Sequence, residues 1–139
     1  VAGSHGDLLS PSTIYIVPGD VHGRVVDSRG LRLEFSNEPP VNRHKPSVDV
    51  LFGSGASLGR RHAIAALLLT GMGEDGAQGL LKLKEAGATT ICQDAASCVV
   101  YGMPRAAVEL GAASYQFPLK SLASALFGQV SEVRQKGVA

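Results

Sequence analysis

Residues Leu67 to Leu81 read L-L-L-T-G-M-G-E-D-G-A-Q-G-L-L, and this stretch decides the fold. It begins in an apolar run, Ala63 to Leu69, without hydrophobic alternation, which is the pattern of a strand covered on both faces. A glycine turn follows, and Gly76 to Glu85 then reads as a helix that ends at Gly87. Strand, glycine turn and helix make one unit of an α/β fold, in which ligands collect at the carboxyl ends of the strands.

Working outward, the same alternation continues downstream. Thr89 to Gln93 reads as the next strand, and Pro104 to Glu109 as a helix begun by proline and stopped by Gly111. Ser114 to Phe117 is a short strand. Leu119 to Gln135 is a terminal helix, with Leu119, Leu122, Ala123, Leu126, Val130 and Val133 at helical spacing. Upstream, Ser47 to Leu58 reads as a helix with Ser47 as its cap and Asp49 in the first turn, where the helix dipole favours an anion. Before Pro46 the pattern is β-rich. Thr13 to Val17 (T-I-Y-I-V) is a short strand stopped by Pro18-Gly19, and Gly23 to Asp27 pairs with Leu31 to Phe35 around Ser28-Arg29-Gly30. The predicted class is α/β, a mostly parallel Rossmann-like sheet flanked by helices, with an antiparallel β-hairpin near the N-terminus.

Composition bounds the function. The 139 residues, 45% hydrophobic and 18% charged, suit one domain with its own core. A formal charge of +1 lacks the excess of cations that nucleic-acid binding requires, so no nucleic-acid partner is expected. No run reaches the ~18 apolar residues of a membrane span, and Val1 to His5 is not a signal peptide, so no membrane insertion and a cytoplasmic location are expected. Cys92 and Cys98 have no partners at metal-ligand spacing; reduced thiols, no metal and no cofactor are the expectation. Because Val1 stands where an initiator Met would, the chain reads as a piece of something larger.

The glycine turn admits several chemistries. Gly71-Met72-Gly73-Glu74-Asp75-Gly76 matches G-x-G-x-x-G between strand and helix, and Asp94 offers a carboxylate for a ribose hydroxyl. Against a dinucleotide, Glu74 and Asp75 would stand where the pyrophosphate rests and repel it. Asp75 also suits a plain N-cap of the following helix. A third reading has Asp75 orienting a histidine while the glycines let backbone N–H groups reach a developing oxyanion. The residues alone leave these open.

Three blocks resemble the catalytic domain of the chemotaxis protein-glutamate methylesterases, the CheB family. They are I-Y-I-V-P-G-D-V-H, Ile14 to His22; P-V-N-R-H-K-P-S-V-D-V-L-F, Pro40 to Phe52; and Leu68 to Leu81 followed by Q-D-A-A-S-C-V-V-Y-G-M-P-R-A-A, Gln93 to Ala107. The resemblance runs from about Gly6 to the end. It implies a serine hydrolase that demethylates glutamate methyl esters on methyl-accepting chemotaxis receptors and in many members deamidates receptor glutamines. It implies Asp75 as the triad carboxylate and Met72 as the residue whose backbone N–H lines the oxyanion hole. Gly71, Gly73, His22 and His44 lie in family-like strings and are candidates for the active-site crevice.

The sequence departs from the family in one respect. The nucleophile belongs to a G-A-S-T-G-G-type turn and the base to a Q-H-M-like strand end, and neither string occurs here. Residues 1–139 therefore read as the C-terminal portion of such a catalytic domain, without the receiver domain that precedes it in most members. Ser54, inside a predicted helix, is a poor substitute nucleophile. His62 is expected on the surface and His5 in a disordered end. Arg43, Lys45 and Arg105 are solvated charges that could also meet an acidic receptor segment. A non-catalytic receptor-binding module remains the alternative to an enzyme, with a dinucleotide-binding domain behind it.

Overall fold

In a computed structural model the described residues are 1–128, and they form two sheets linked by helices. Strands β1 (His22–Asp27) and β2 (Leu31–Ser36) pair antiparallel from His22 opposite Ser36 to Asp27 opposite Leu31. The hairpin is as the sequence predicts: Leu33 is buried while Glu34 faces solvent. Thr13 to Val17 does not form the predicted strand. It makes one parallel bridge, Ala2 to Ile16, and Ile14 and Ile16 stay exposed because no neighbouring strand covers them among the described residues. His5, expected in a disordered end, accepts a hydrogen bond from the Phe35 N–H through Nδ1 at 2.9 Å.

The second sheet is parallel, ordered β3 (Ala65–Leu68), β4 (Thr89–Gln93), β5 (Tyr115–Phe117). Its crossovers are α2 (Ala77–Glu85) and α3 (Met103–Glu109), and α1 (Val48–Ser57) lies between the hairpin and α2. Ala66, Leu68 and Cys92 from the sheet, Leu80 and Leu83 from α2, and Ala107 from α3 share one core. β4 is buried from Thr90 to Gln93, as a central strand must be. β3 is not covered on both faces as its unbroken apolar run suggests. Ala66 and Leu68 are buried, while Ala65 and Leu67 are half-buried beside an apolar groove of about 320 Å³. The reason is position: among the described residues β3 is an edge of its sheet. Residues 122–128 are helical after a short 3-10 turn at Leu119–Ser121, and the remainder of the predicted terminal helix lies outside the described residues.

The two cysteines are free, and burial, with a smaller effect of Cys98, pushes the Cys92 thiol up to about 12. Cys92 is thus an inert core side chain. Ser54 is equally committed: its hydroxyl donates to the Leu51 carbonyl and accepts the Val25 N–H, tying α1 to β1.

Where α1 crosses α2, Gly79 allows the contact. A Cβ there would lie 2.7 Å from the Phe52 Cβ and 3.0 Å from Asp49 Oδ1. Gly79→Ala should therefore cost about 1–3 kcal/mol through overpacking. Gly53→Ala, in α1 with nothing within 4 Å of the new methyl, should stabilise by about 0.5–1 kcal/mol through helix propensity. Urea midpoints of the two variants should move in opposite directions; equal shifts would contradict the close α1–α2 approach.

Candidate active site

The loop after β3 carries the candidate residues. Leu69 to Gly73 is held to the segment before α3: Gly71 N–H donates to the Val100 carbonyl, Thr70 Oγ1 and Val100 exchange hydrogen bonds, and Gly102 and Met103 N–H both donate to the Gly71 carbonyl. This fixes Gly71 and leaves Met72 at the tip, 79% exposed. Among the described residues the Met72 N–H donates to no acceptor. A rigid loop holding a free N–H at the carboxyl end of a parallel strand can receive a developing oxyanion.

Asp75 behaves unlike a plain N-cap of α2. The α2 cap is Gly76, with φ +93, and it has no side-chain capping bond. The Asp75 carboxylate is 2% exposed and turns to the other helix, α1. Its Oδ2 accepts the Val48 N–H at 2.7 Å, and its Oδ1 accepts Ser47 Oγ at 2.7 Å, Asn42 Nδ2 at 2.9 Å and the Asp49 N–H at 3.3 Å. Ser47 stands at the α1 cap position as predicted, yet its hydroxyl makes no capping bond because it donates to Asp75. Asp49 returns the service by accepting the Gly79 N–H of α2 at 2.7 Å. Each helix is thus capped by a carboxylate from the other's neighbourhood. Burial raises the Asp75 pKa, but donors from Asn42, Ser47, Val48 and Asp49 outweigh it and hold the carboxyl below its usual range.

The histidines divide. His22 is fully buried, with Nδ1 accepting the Ser47 N–H at 3.1 Å and Nε2 at 2.9 Å from the Pro39 carbonyl. The Nδ1 bond makes Nε2 the protonated nitrogen, so His22 stands behind Ser47 and not in a crevice, with both nitrogens engaged. His44 is exposed and lines, with Arg43, Met72, Gly73, Gly102 and Arg105, a cavity of about 810 Å³. Gly71 lies just behind it in the loop. His62 sits at 3.1 Å from Asp27 on the hairpin and does not line this cavity. Among the basic residues, Lys45 donates to Asn37 and Arg105 pairs with Glu109, whereas Arg43 has no hydrogen-bond partner among the described residues.

Asp94 does not behave as a ribose ligand: its Oδ1 accepts both the N–H and the hydroxyl of Ser97 and closes a turn. Asn42, Ser47 and Asp49 are the residues whose part in the site sequence reasoning missed. The available signal was the Val-Asn-Arg-His string, since Asn tolerates a left-handed backbone and suits a two-residue turn.

Because the Asp75 carboxyl is lowered in the folded state, its contribution to stability is complete above the unfolded value near 3.8 and is lost as pH falls through the folded value. Asp75→Ala should cost about 2–4 kcal/mol at neutral pH, as several buried donors lose their acceptor. The gap to the unsubstituted chain should shrink in urea titrations run progressively below pH 3.8. A gap that stays constant into strong acid would contradict an ionised, donor-held Asp75.

The chain is similar to known proteins over most of its length. The family model described as CheB methylesterase matches residues 1–126. A protein-glutamate methylesterase/protein-glutamine glutaminase of Dechloromonas aromatica is 51% identical over 126 residues, covering 90% of this chain and 36% of that protein. One from Vibrio vulnificus is 54% identical over 115 residues, covering 82% of this chain and 33% of its own. The crystal structure of the Thermotoga maritima CheB methylesterase catalytic domain superposes with a TM-score of 0.87 at 32% identity, covering 92% of this chain and 68% of that one. The chain spans about a third of the length of these curated relatives. With the family matched over nearly all of its length and the fold shared with a solved member, the chain belongs to the CheB methylesterase family.

Proposed function

We propose that residues 1–139 form the C-terminal portion of a protein-glutamate methylesterase catalytic domain, a serine hydrolase that removes methyl esters from glutamates of methyl-accepting chemotaxis receptors. The observation that carries this reading is the pairing of a buried, donor-held carboxylate, Asp75, with an exposed loop whose Met72 N–H is free. Deamidation of receptor glutamines is a second activity of the same site, since both reactions pass through an acyl-enzyme; the named relatives carry both activities in their names.

In this reading a serine from the upstream region attacks the ester carbonyl while a histidine takes its proton. Asp75 fixes the imidazole tautomer and stabilises the imidazolium, and the Met72 N–H receives the oxyanion. Methanol leaves, and water then releases the glutamate. Asp75 reaches this role already ionised, so it can stabilise a cation at neutral pH. Arg43 and His44, exposed beside Met72, face the substrate side of the loop. No described helix is long and apolar enough to cross a membrane. A cytoplasmic location and an upstream receiver domain in the intact protein complete the proposal.

Neither the G-A-S-T-G-G nor the Q-H-M string occurs in the 139 residues, so the purified chain should release no methanol from a methylated receptor. Methanol release abolished by Asp75→Asn would overturn that expectation. The activity itself is tested by replacing the matching segment of the Dechloromonas aromatica enzyme with residues 1–126, the span matched by the family model. The chimera should remain an esterase, and Asp75→Asn within it should lower kcat on the order of 10⁴-fold. A folded chimera that is inactive would favour a non-catalytic receptor-binding module.

A further inference from the structure

The segment Val41 to His44 is a two-residue turn. Val41 and His44 exchange both backbone hydrogen bonds, at 3.0 and 2.8 Å, and the residues between them, Asn42 and Arg43, have φ of +51 and +67. Both central positions are left-handed, the requirement of a tight hairpin turn of this kind, and neither is glycine. The backbone strain accepted here delivers one side chain to the carboxylates. Asn42 Nδ2 lies 2.6 Å from Asp49 Oδ2 and 2.9 Å from Asp75 Oδ1. An amide nitrogen has two hydrogens, so it can donate one to each.

We propose that Asn42 is a positioning residue: its amide nitrogen bridges Asp75 and Asp49, fills Oδ1 of Asp75, and leaves Oδ2 as the oxygen open to a histidine. The count of donors supports this. Each oxygen of a carboxylate offers about two lone-pair sites. On Asp75, Oδ1 receives Asn42, Ser47 and the Asp49 amide, while Oδ2 receives only the Val48 amide. The remaining acceptor site is on Oδ2. Without the amide, the carboxylates of Asp75 and Asp49 would lose the one side-chain donor they share, which raises the cost of charge on Asp75 and favours its protonated form. A protonated Asp75 could not stabilise an imidazolium.

Asn42 also joins the site to its surface. Arg43 and His44, next in the turn, line the cavity with Met72, so anything that moves the turn from outside also moves the donor on Asp75. The titratable and charged groups around the bridge are Asp75 and Asp49, Glu74 before Asp75, Arg43 and His44 on the turn, Arg105 and Glu109 of α3, and His22 behind Ser47.

The bearing of this proposal on catalysis rests on Asp75 being the triad carboxylate, but the bridge itself is testable in the 139-residue chain. Carboxyl carbons of labelled aspartates are followed by NMR across acid pH. Asp75 should titrate below the ordinary carboxylate range, and Asn42→Gly should move its midpoint up. Glycine satisfies the left-handed turn, so it preserves the backbone and removes only the amide. Adding Asp49→Asn to Asn42→Gly should bring the midpoint back down by removing the facing charge. An unchanged Asp75 midpoint in Asn42→Gly would show that Asn42 serves the turn alone and would overturn the proposal. The unsubstituted chain gives a second readout that does not depend on a variant folding. The two Asn42 side-chain amide protons should both be shifted downfield and follow the Asp75 midpoint, and unshifted, pH-insensitive protons would equally refute the bridge. Asp75→Asn in the chimera tests the triad reading separately, since full activity there would sink that reading and leave the titration result standing.

Discussion

The structure depends on an exchange of carboxylates between two helices. Asp75, at the end of the glycine loop, takes the first amide of α1, and Asp49, in the first turn of α1, takes the Gly79 amide of α2. A helix N-terminus leaves four amides without intrahelical acceptors, and here each helix meets part of that need from the other's neighbourhood. The exchange requires the helices to cross closely, which Gly79 permits, and it places both acids where they are partly or wholly buried. Asn42, Ser47 and two backbone amides supply the donors that make ionisation of Asp75 favourable.

Much of this was legible in the sequence, for particular reasons. The parallel unit around Leu67 to Leu81 announced itself because strand, glycine turn and helix follow one another without ambiguity, and the hairpin because Leu31, Leu33 and Phe35 alternate with charged residues. Thr13 to Val17 misled because β-branched residues state a preference for extended backbone but not the presence of a partner, and among the described residues only a single bridge forms there. The unbroken apolar run before the loop misled in the same way. It encodes a strand meant for cover on both sides, while whether a neighbour is there is a property of the assembled sheet.

The site was half legible. Asp75 and Met72 stood out through the family-like strings, but sequence could not say where the carboxylate points. A local cap of α2 and a cap of α1 across the fold use the same residue, and the choice depends on how α1 docks. His22 shows the converse: within a family-like string it looked like a crevice residue, and the fold spends both ring nitrogens on holding the Ser47 backbone and the Pro39 carbonyl. Asn42 was invisible as a functional residue because its role exists only where Asp49 and Asp75, distant in sequence, converge.

This arrangement joins stability to chemistry. The carboxylate that caps a helix is the one proposed to orient the catalytic base, so its geometry is set by the core instead of by a mobile loop. The most direct measurement of the exchange is amide hydrogen exchange resolved by residue. First-turn amides of surface helices exchange freely unless capped, so Val48 and Gly79 should be protected well beyond Gln78, the neighbouring first-turn amide of α2. Protection at Val48 and Gly79 no greater than at Gln78 would contradict the paired carboxylate caps on which the fold and the site both depend.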